Sequence, residues 1–143
     1  MENLTVNAVV DNLDEVTGFV LKRLDNYGCS KKTLLQIRLA VEEIFVNIAS
    51  YAYDPAIGPA EVRCEVLQDP LRVVIQFLDG GRPFDPLARE DADISEDGLF
   101  SREGGLGILL VKETMDGVTY TYENGKNILT IEKKLTEPED VCL

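Results

Sequence analysis

The sequence predicts an α+β fold: a two-layer α/β sandwich in which a mostly antiparallel sheet carries its helices on one face. Three observations predict it. Two amphipathic helical patterns stand in series behind a short β-like segment. Alternating apolar and polar segments follow, joined by tight turns, and such turns join antiparallel neighbours. A glycine-rich stretch then opens one more helical pattern ahead of a hairpin. Helices with a single apolar stripe need a sheet face to cover, which gives two layers. The 143 residues argue for one domain over 1–143.

The elements follow in chain order. Residues 4–10 are β-like, with Val6, Val9 and Val10. Asp11 has the chemistry of a helix N-cap, and Leu13, Val16, Val20 and Leu24 recur at helical spacing, so a helix is expected over about 12–26. Gly28 ends it. Ser30 can cap a second helix running to about Tyr53, with an apolar stripe of Leu34, Ile37, Val41, Ile44, Ile48 and Ala52. Val62, Cys64 and Val66 alternate with Arg63 and Glu65 as a half-buried strand. After the turn at Gln68–Pro70, Leu71, Val73, Ile75 and Phe77 line one face of a strand that delivers Asp79 at its end. Residues 85–103 are polar, acidic and aperiodic, and a loop of that length is often functional. Gly104 to Gly107 open a short helix through Met115. Val118–Tyr122 and Ile128–Lys133 flank Asn124-Gly125, a strong hairpin signal. The tail from Glu137 is expected to fray.

Composition narrows the chemistry. Twenty-six acidic against 14 basic residues give a net charge of −12, which disfavours direct binding of nucleic acid or an anionic membrane. No apolar run is long enough to span a bilayer, and the start lacks a signal-peptide pattern, so a cytoplasmic location is expected. Cys29, Cys64 and Cys142 are widely spaced, and the chain has no His. Zinc sites and Cys–His catalysis are therefore disfavoured, and proton transfer falls to a carboxylate.

Three motifs can carry chemistry. Glu43 and Asn47 are four residues apart and share a helix face beside the apolar stripe. A carboxylate there can act as general base, and an amide oxygen can ligate Mg2+. Taken alone, the pair also suits an ordinary solvated helix face. Asp79-Gly80-Gly81-Arg82-Pro83-Phe84-Asp85-Pro86 follows a strand. Its Asp can accept from an exocyclic amine, and Gly81 lets a flat base approach the backbone. A plain turn has the same composition. Gly104-Gly105-Leu106-Gly107 offers amides and a helix N-terminus to phosphates, or is simply a flexible way into a helix. A G-x-x-x-x-G-K-[ST] phosphate loop is absent from the sequence.

In this order and spacing the three motifs resemble the boxes of the GHKL (Bergerat) ATP-binding family, with its histidine-kinase-like ATPase fold. Ile37 to Asn47 looks like the N box, Asp79-x-Gly81-x-Pro83-Phe84 like the first glycine box, and Gly105-x-Gly107 with Ile108-Leu109-Leu110 like the second. Met115-Asp116-Gly117-Val118 and the hairpin ending Gly125 to Thr130 are similar to the small anti-sigma-factor serine/threonine kinases rather than to sensor histidine kinases. The resemblance covers about residues 5–134.

The resemblance implies an ATP-dependent protein kinase with ATP and Mg2+. Glu43 would be the catalytic base, Asn47 the Mg2+ ligand, and Asp79 the reader of the adenine amine beside Gly81. The amides of Gly105, Leu106 and Gly107 would meet the phosphates, residues 85–103 would form the ATP lid, and Thr130 would lie near the adenine. The implied partners are a STAS-type anti-anti-sigma protein as phosphate acceptor and a sigma factor, with the kinase a homodimer. Tyr51 stands where the family often carries His, and the lid is rich in acids, with Arg102 its nearest base. Those departures leave open an alternative: an ATP-gated binding module without phosphoryl transfer.

Overall fold

The computed structural model describes residues 1–88 and 105–135, with backbone alone at 105 and 106. Five strands form one sheet: β1 (Glu2–Asn7), β2 (Pro59–Leu67), β3 (Arg72–Asp79), β4 (Gly117–Glu123) and β5 (Lys126–Lys134). Its order is β1-β2-β3-β5-β4, and every neighbouring pair is antiparallel. Among the described residues three α-helices accompany it: α1 (Leu13–Leu24), α2 (Lys31–Asn47) and α3 (Gly105–Thr114). The expected α+β architecture is the one observed.

Alternation along the strands builds the core. Val62, Cys64, Val73, Ile75, Phe77 and Ile131 point from the sheet to the helices, each at most 1% exposed. From the helices they meet Val16, Val20, Ile37, Val41 and Phe45, all fully buried. Each such side chain contributes about 1.5–3 kcal/mol by leaving water. Cys64 packs as a small hydrophobe, and burial pushes its thiol up to about 11, so it is no nucleophile at neutral pH.

Local chemistry sets the helix ends. Ser30 caps α2 through its hydroxyl, which accepts from the Thr33 amide at 3.1 Å. Gly28, with φ of 65°, closes the turn after α1 in the left-handed region. The expected Asp11 cap is not formed. Asp11 lies inside a 3-10 turn, Val10–Asn12, and Asn12 takes the N-cap position without a side-chain cap bond. The Asn12 side-chain NH2 instead donates to the Asn7 carbonyl at 2.8 Å, which ties the side chain back to the end of β1. Asn124 and Gly125 take φ of 54° and 78°, the left-handed pair that a two-residue hairpin turn needs.

Two features place the functional elements. Beyond Asn47, α2 widens into a π turn, Ile48–Ala52, rather than continuing as α-helix to Tyr53. At the far end of α3, the buried Lys133 ammonium donates to the carbonyl of Thr114 at 2.9 Å. A cation at a helix C-terminus also matches the helix dipole. The Lys134 amide donates to the Asp116 carboxylate at 2.6 Å, so the end of α3 is fixed to β5. Of the expected lid, only the start is described, including a 3-10 turn at Pro86–Ala88; residues 89–103 and the tail lie outside the described residues.

Candidate functional site

A cavity of about 480 Å³ opens where the end of α2, β3, β5 and α3 meet. Ile44, Ile48, Phe77, Ile108 and Leu129 give it apolar walls. Asn47, Asp79, Arg82, Tyr120 and Asn127 add polar groups. An apolar slot with a few fixed polar groups suits a flat, partly polar ligand.

Asp79 ends β3 and is only 6% exposed. Its Oδ1 accepts from the Gly81 amide at 2.9 Å and from Asn127 Nδ2 at 3.0 Å. Both hydrogen bonds of its carboxylate among the described residues fall on Oδ1. Sequence reasoning missed Asn127. The signal was available: Asn127 is in phase with Leu129 and Ile131 on β5, a polar residue at an inward-facing position.

Thr130 is placed apart from the cavity. It lies opposite Gln76 across the β3–β5 ladder, and its hydroxyl accepts from Gln76 Nε2 at 3.3 Å. Side chains alternate faces along a strand, so Thr130 points away from the helices and does not line the cavity.

Gly81 also has a packing role. A Cβ there would stand 2.2 Å from the backbone oxygen of Ala52. The π turn after α2 fills that space. Around it the loop is docked on the helix end. The Arg82 amide donates to the Ala52 carbonyl at 3.1 Å, and its guanidinium donates to the Asp54 carbonyl at 2.8 Å. The Tyr53 hydroxyl accepts from the Gly80 amide at 2.7 Å and donates to the Pro59 carbonyl at 2.6 Å. Desolvation raises the Tyr53 pKa, the Gly80 bond lowers it, and the charge of Asp79 raises it.

Glu43 and Asn47 occupy one face of α2, one turn apart. Asn47 lines the cavity. Glu43 does not; it is half-buried against Gly107, where a Cβ would meet the carboxylate at 1.8–2.3 Å. Desolvation raises the Glu43 pKa above the usual carboxylate range. Gly105 starts α3, with Leu106 and Gly107 in its first turn, so their amides belong to the unpaired donors of a helix N-terminus. Gly104 and Arg102 lie outside the described residues.

The donor set fits Mg2+ borne by a nucleotide. Among the described residues no group of three or more His, Cys, Asp or Glu is placed to hold a metal. Asn47 offers one hard oxygen on the cavity wall. Mg2+ characteristically takes one or two protein oxygens and fills its shell with phosphates and water. None of the helices among the described residues is long and apolar enough to cross a membrane.

Known proteins resemble this chain in sequence and in fold. A serine-protein kinase RsbW from Staphylococcus aureus strain MSSA476 is 32% identical over 107 residues, 71% of this chain and 66% of its own length. The same protein from strain JH9 is 32% identical over 109 residues, with the same coverage. The chain therefore spans just under two thirds of these relatives. Among solved structures, the RsbU and RsbW domains of a Mycobacterium tuberculosis protein superpose with a TM-score of 0.64 at 16% identity, covering 96% of this chain and 34% of that one. A blue-light activated histidine kinase from Erythrobacter litoralis gives 0.59 at 19% identity, over 93% of this chain and 43% of that one. These two likenesses are of fold. The profile of the histidine kinase-like ATPase domain matches residues 6–133. The chain belongs to the histidine kinase-like ATPase domain family.

Proposed function

We propose that residues 1–143 act as one ATP-binding domain that transfers the γ-phosphoryl group of Mg-ATP to a Ser or Thr of a STAS-type anti-anti-sigma protein. The observation that carries this reading is the placement of Glu43. Its carboxylate lies against Gly107 in the first turn of α3, one helical turn from Asn47 on the cavity wall. Similarity to serine-protein kinases named RsbW supports the acceptor class.

In this reading the adenine enters the apolar slot and its amine donates to Asp79 Oδ2. The amides of Gly105, Leu106 and Gly107 receive the phosphates. Asn47 supplies the protein oxygen for Mg2+, which neutralises charge on the triphosphate. Glu43, with its raised pKa, removes the proton from the acceptor hydroxyl as that oxygen bonds to the γ-phosphorus. The bond from that phosphorus to the bridging oxygen breaks, and ADP leaves. The lid over 85–103, the sigma-factor partner, the homodimer and the cytoplasmic setting belong to the same proposal through the family resemblance.

The test mixes the purified protein, labelled ATP and the candidate STAS partner, beside Glu43→Ala. Labelled partner with the wild type and unlabelled partner with Glu43→Ala is expected. Unlabelled partner with a wild type that binds ATP would leave an ATP-gated binding module instead.

A further inference from the structure

We propose that Asn127 is a positioning residue that presents Asp79 to the base and sets selectivity for a 6-amino over a 6-oxo purine. This rests on the reading of the cavity as the adenine site. A primary amide has two N–H donors and two acceptor positions. All four are used here. Nδ2 donates to Asp79 Oδ1 at 3.0 Å and to the Arg82 carbonyl at 2.9 Å. Oδ1 accepts from the Phe84 amide at 3.1 Å and from the Tyr120 hydroxyl.

The orientation of that amide is fixed by its neighbours. The Phe84 N–H can only donate and the Arg82 carbonyl can only accept, so a flipped amide would oppose both. Asn127 lines the cavity and is 7% exposed, yet it has no hydrogen-bonding capacity left for a ligand. It acts through Asp79. With Oδ1 held between Asn127 Nδ2 and the Gly81 amide, the carboxylate is locked in rotation and Oδ2 is left to accept. An acceptor fixed there favours a purine amine and opposes a purine carbonyl.

The same bonds hold the loop above the base. Arg82 and Phe84, both cavity-lining, hang from one side chain on β5. Charged and titratable groups surround it. Asp79 comes from β3, Tyr120 and Tyr122 from β4, Arg82 and Asp85 from the loop, and Tyr51 and Asp54 from the end of α2.

The test compares dissociation constants for ATP and inosine triphosphate, which carries a 6-oxo group, between pH 5.5 and 8. Using the ratio removes the titration of the triphosphate itself. The wild type is expected to prefer ATP by about tenfold or more at every pH. Asn127→Asp keeps the side-chain volume. At pH 5.5 a shared proton can replace the Nδ2 bond and the ratio is retained. At pH 8 two ionised carboxylates repel, Asp79 turns, and the ratio falls about tenfold. Asn127→Leu is expected to lose the preference at all pH values. A pH-independent, wild-type ratio in Asn127→Asp overturns the proposal even if Asn127→Leu fails to fold. A wild type that binds ATP and inosine triphosphate equally overturns the amine-reading assignment of Asp79, and with it this proposal. A wild type that binds neither overturns the ATP-site reading itself.

Discussion

The carboxylate of Glu43 lies where a side chain on Gly107 would have to go: a Cβ there would stand 1.8 Å from Glu43 Cδ. The second glycine box and the N box thus meet at one point. Gly107→Ala tests that contact. The atoms in the way are the far end of a flexible side chain, so the fold survives, and Ala gains about 0.5–1 kcal/mol over Gly within a helix. The melting temperature is expected to hold or rise while phosphoryl transfer falls about 10–100-fold through the displaced base. Calorimetric melting and a labelled-ATP transfer assay check both halves. Transfer at the wild-type rate would separate Glu43 from the chemistry.

Gly81→Ala differs in what it strikes. Its neighbour is the backbone oxygen of Ala52 at 2.2 Å, which cannot swing aside. Overpacking against backbone costs about 1–3 kcal/mol. Urea unfolding is expected to show that loss, and ATP affinity to fall as the loop carrying Arg82 shifts.

Asp79→Asn keeps an oxygen for the Gly81 and Asn127 bonds while placing an NH2 group toward the cavity. ATP affinity is expected to drop at least about tenfold, the size of a lost charge-assisted hydrogen bond. Thr130→Val, on the other sheet face, is expected to leave it unchanged. Calorimetric titration of both variants decides between the two positions, and equal affinities would remove Asp79 from base recognition.

Glu43 gives a pH dependence of definite sign. Its folded-state pKa is raised by desolvation, so it binds its proton more tightly folded than unfolded. Its stability contribution is full below the ordinary carboxylate pKa and is lost as pH rises through the folded value. If Glu43 is the base of the proposed transfer, the rate is expected to run the other way, rising as Glu43 ionises, with its midpoint shifted upward by the same desolvation. Glu43→Gln is expected to remove the rise in rate and to soften the loss of melting temperature with pH. A pH–rate profile and melts across pH 4–8 read the two effects, and an unaltered profile in Glu43→Gln would assign the base elsewhere.

Tyr53→Phe retains the ring against Gly58 but leaves the Gly80 amide and the Pro59 carbonyl without that partner. Both groups are near solvent, so the cost is about 1 kcal/mol. Weaker ATP binding is expected alongside, measurable by titration, because Gly80 adjoins Asp79.

The fold was legible because its signals are local. Alternation gave β2 and β3, the Asn124-Gly125 pair gave the hairpin, and Ser30 gave the start of α2. The placement of Glu43 and Asn47 on one face of α2 and of Asp79 at the end of β3 was legible through spacing along two regular elements. Thr130 was placed by the family resemblance alone, and its strand phase turns it to the other sheet face. The last strand starts at Lys126, and the apolar Ile128 suggests that its own set faces the core. Ile128 is instead sheltered on the uncovered face, opposite Leu78 and Thr121. The packing of Gly81 against Ala52 was not legible, because the two are distant in sequence and close only after folding. The wide turn after Asn47 left no mark either, since its apolar residues continue the helical rhythm.

That wide turn makes the chain tolerant of substitution and intolerant of changes in length at the same place. Ala49 is only half-buried and Ser50 is exposed, so replacements at those two positions meet little resistance. Removing one residue is different. It would rewind the segment as ordinary α-helix and rotate everything beyond it by about 100°. Tyr53 would leave Gly80, the Ala52 carbonyl would leave Gly81, and the floor of the cavity would lose its register with the wall that carries Asn47. Among homologous sequences, gaps should therefore avoid the interval from Asn47 to Asp54 even where Ala49 and Ser50 vary.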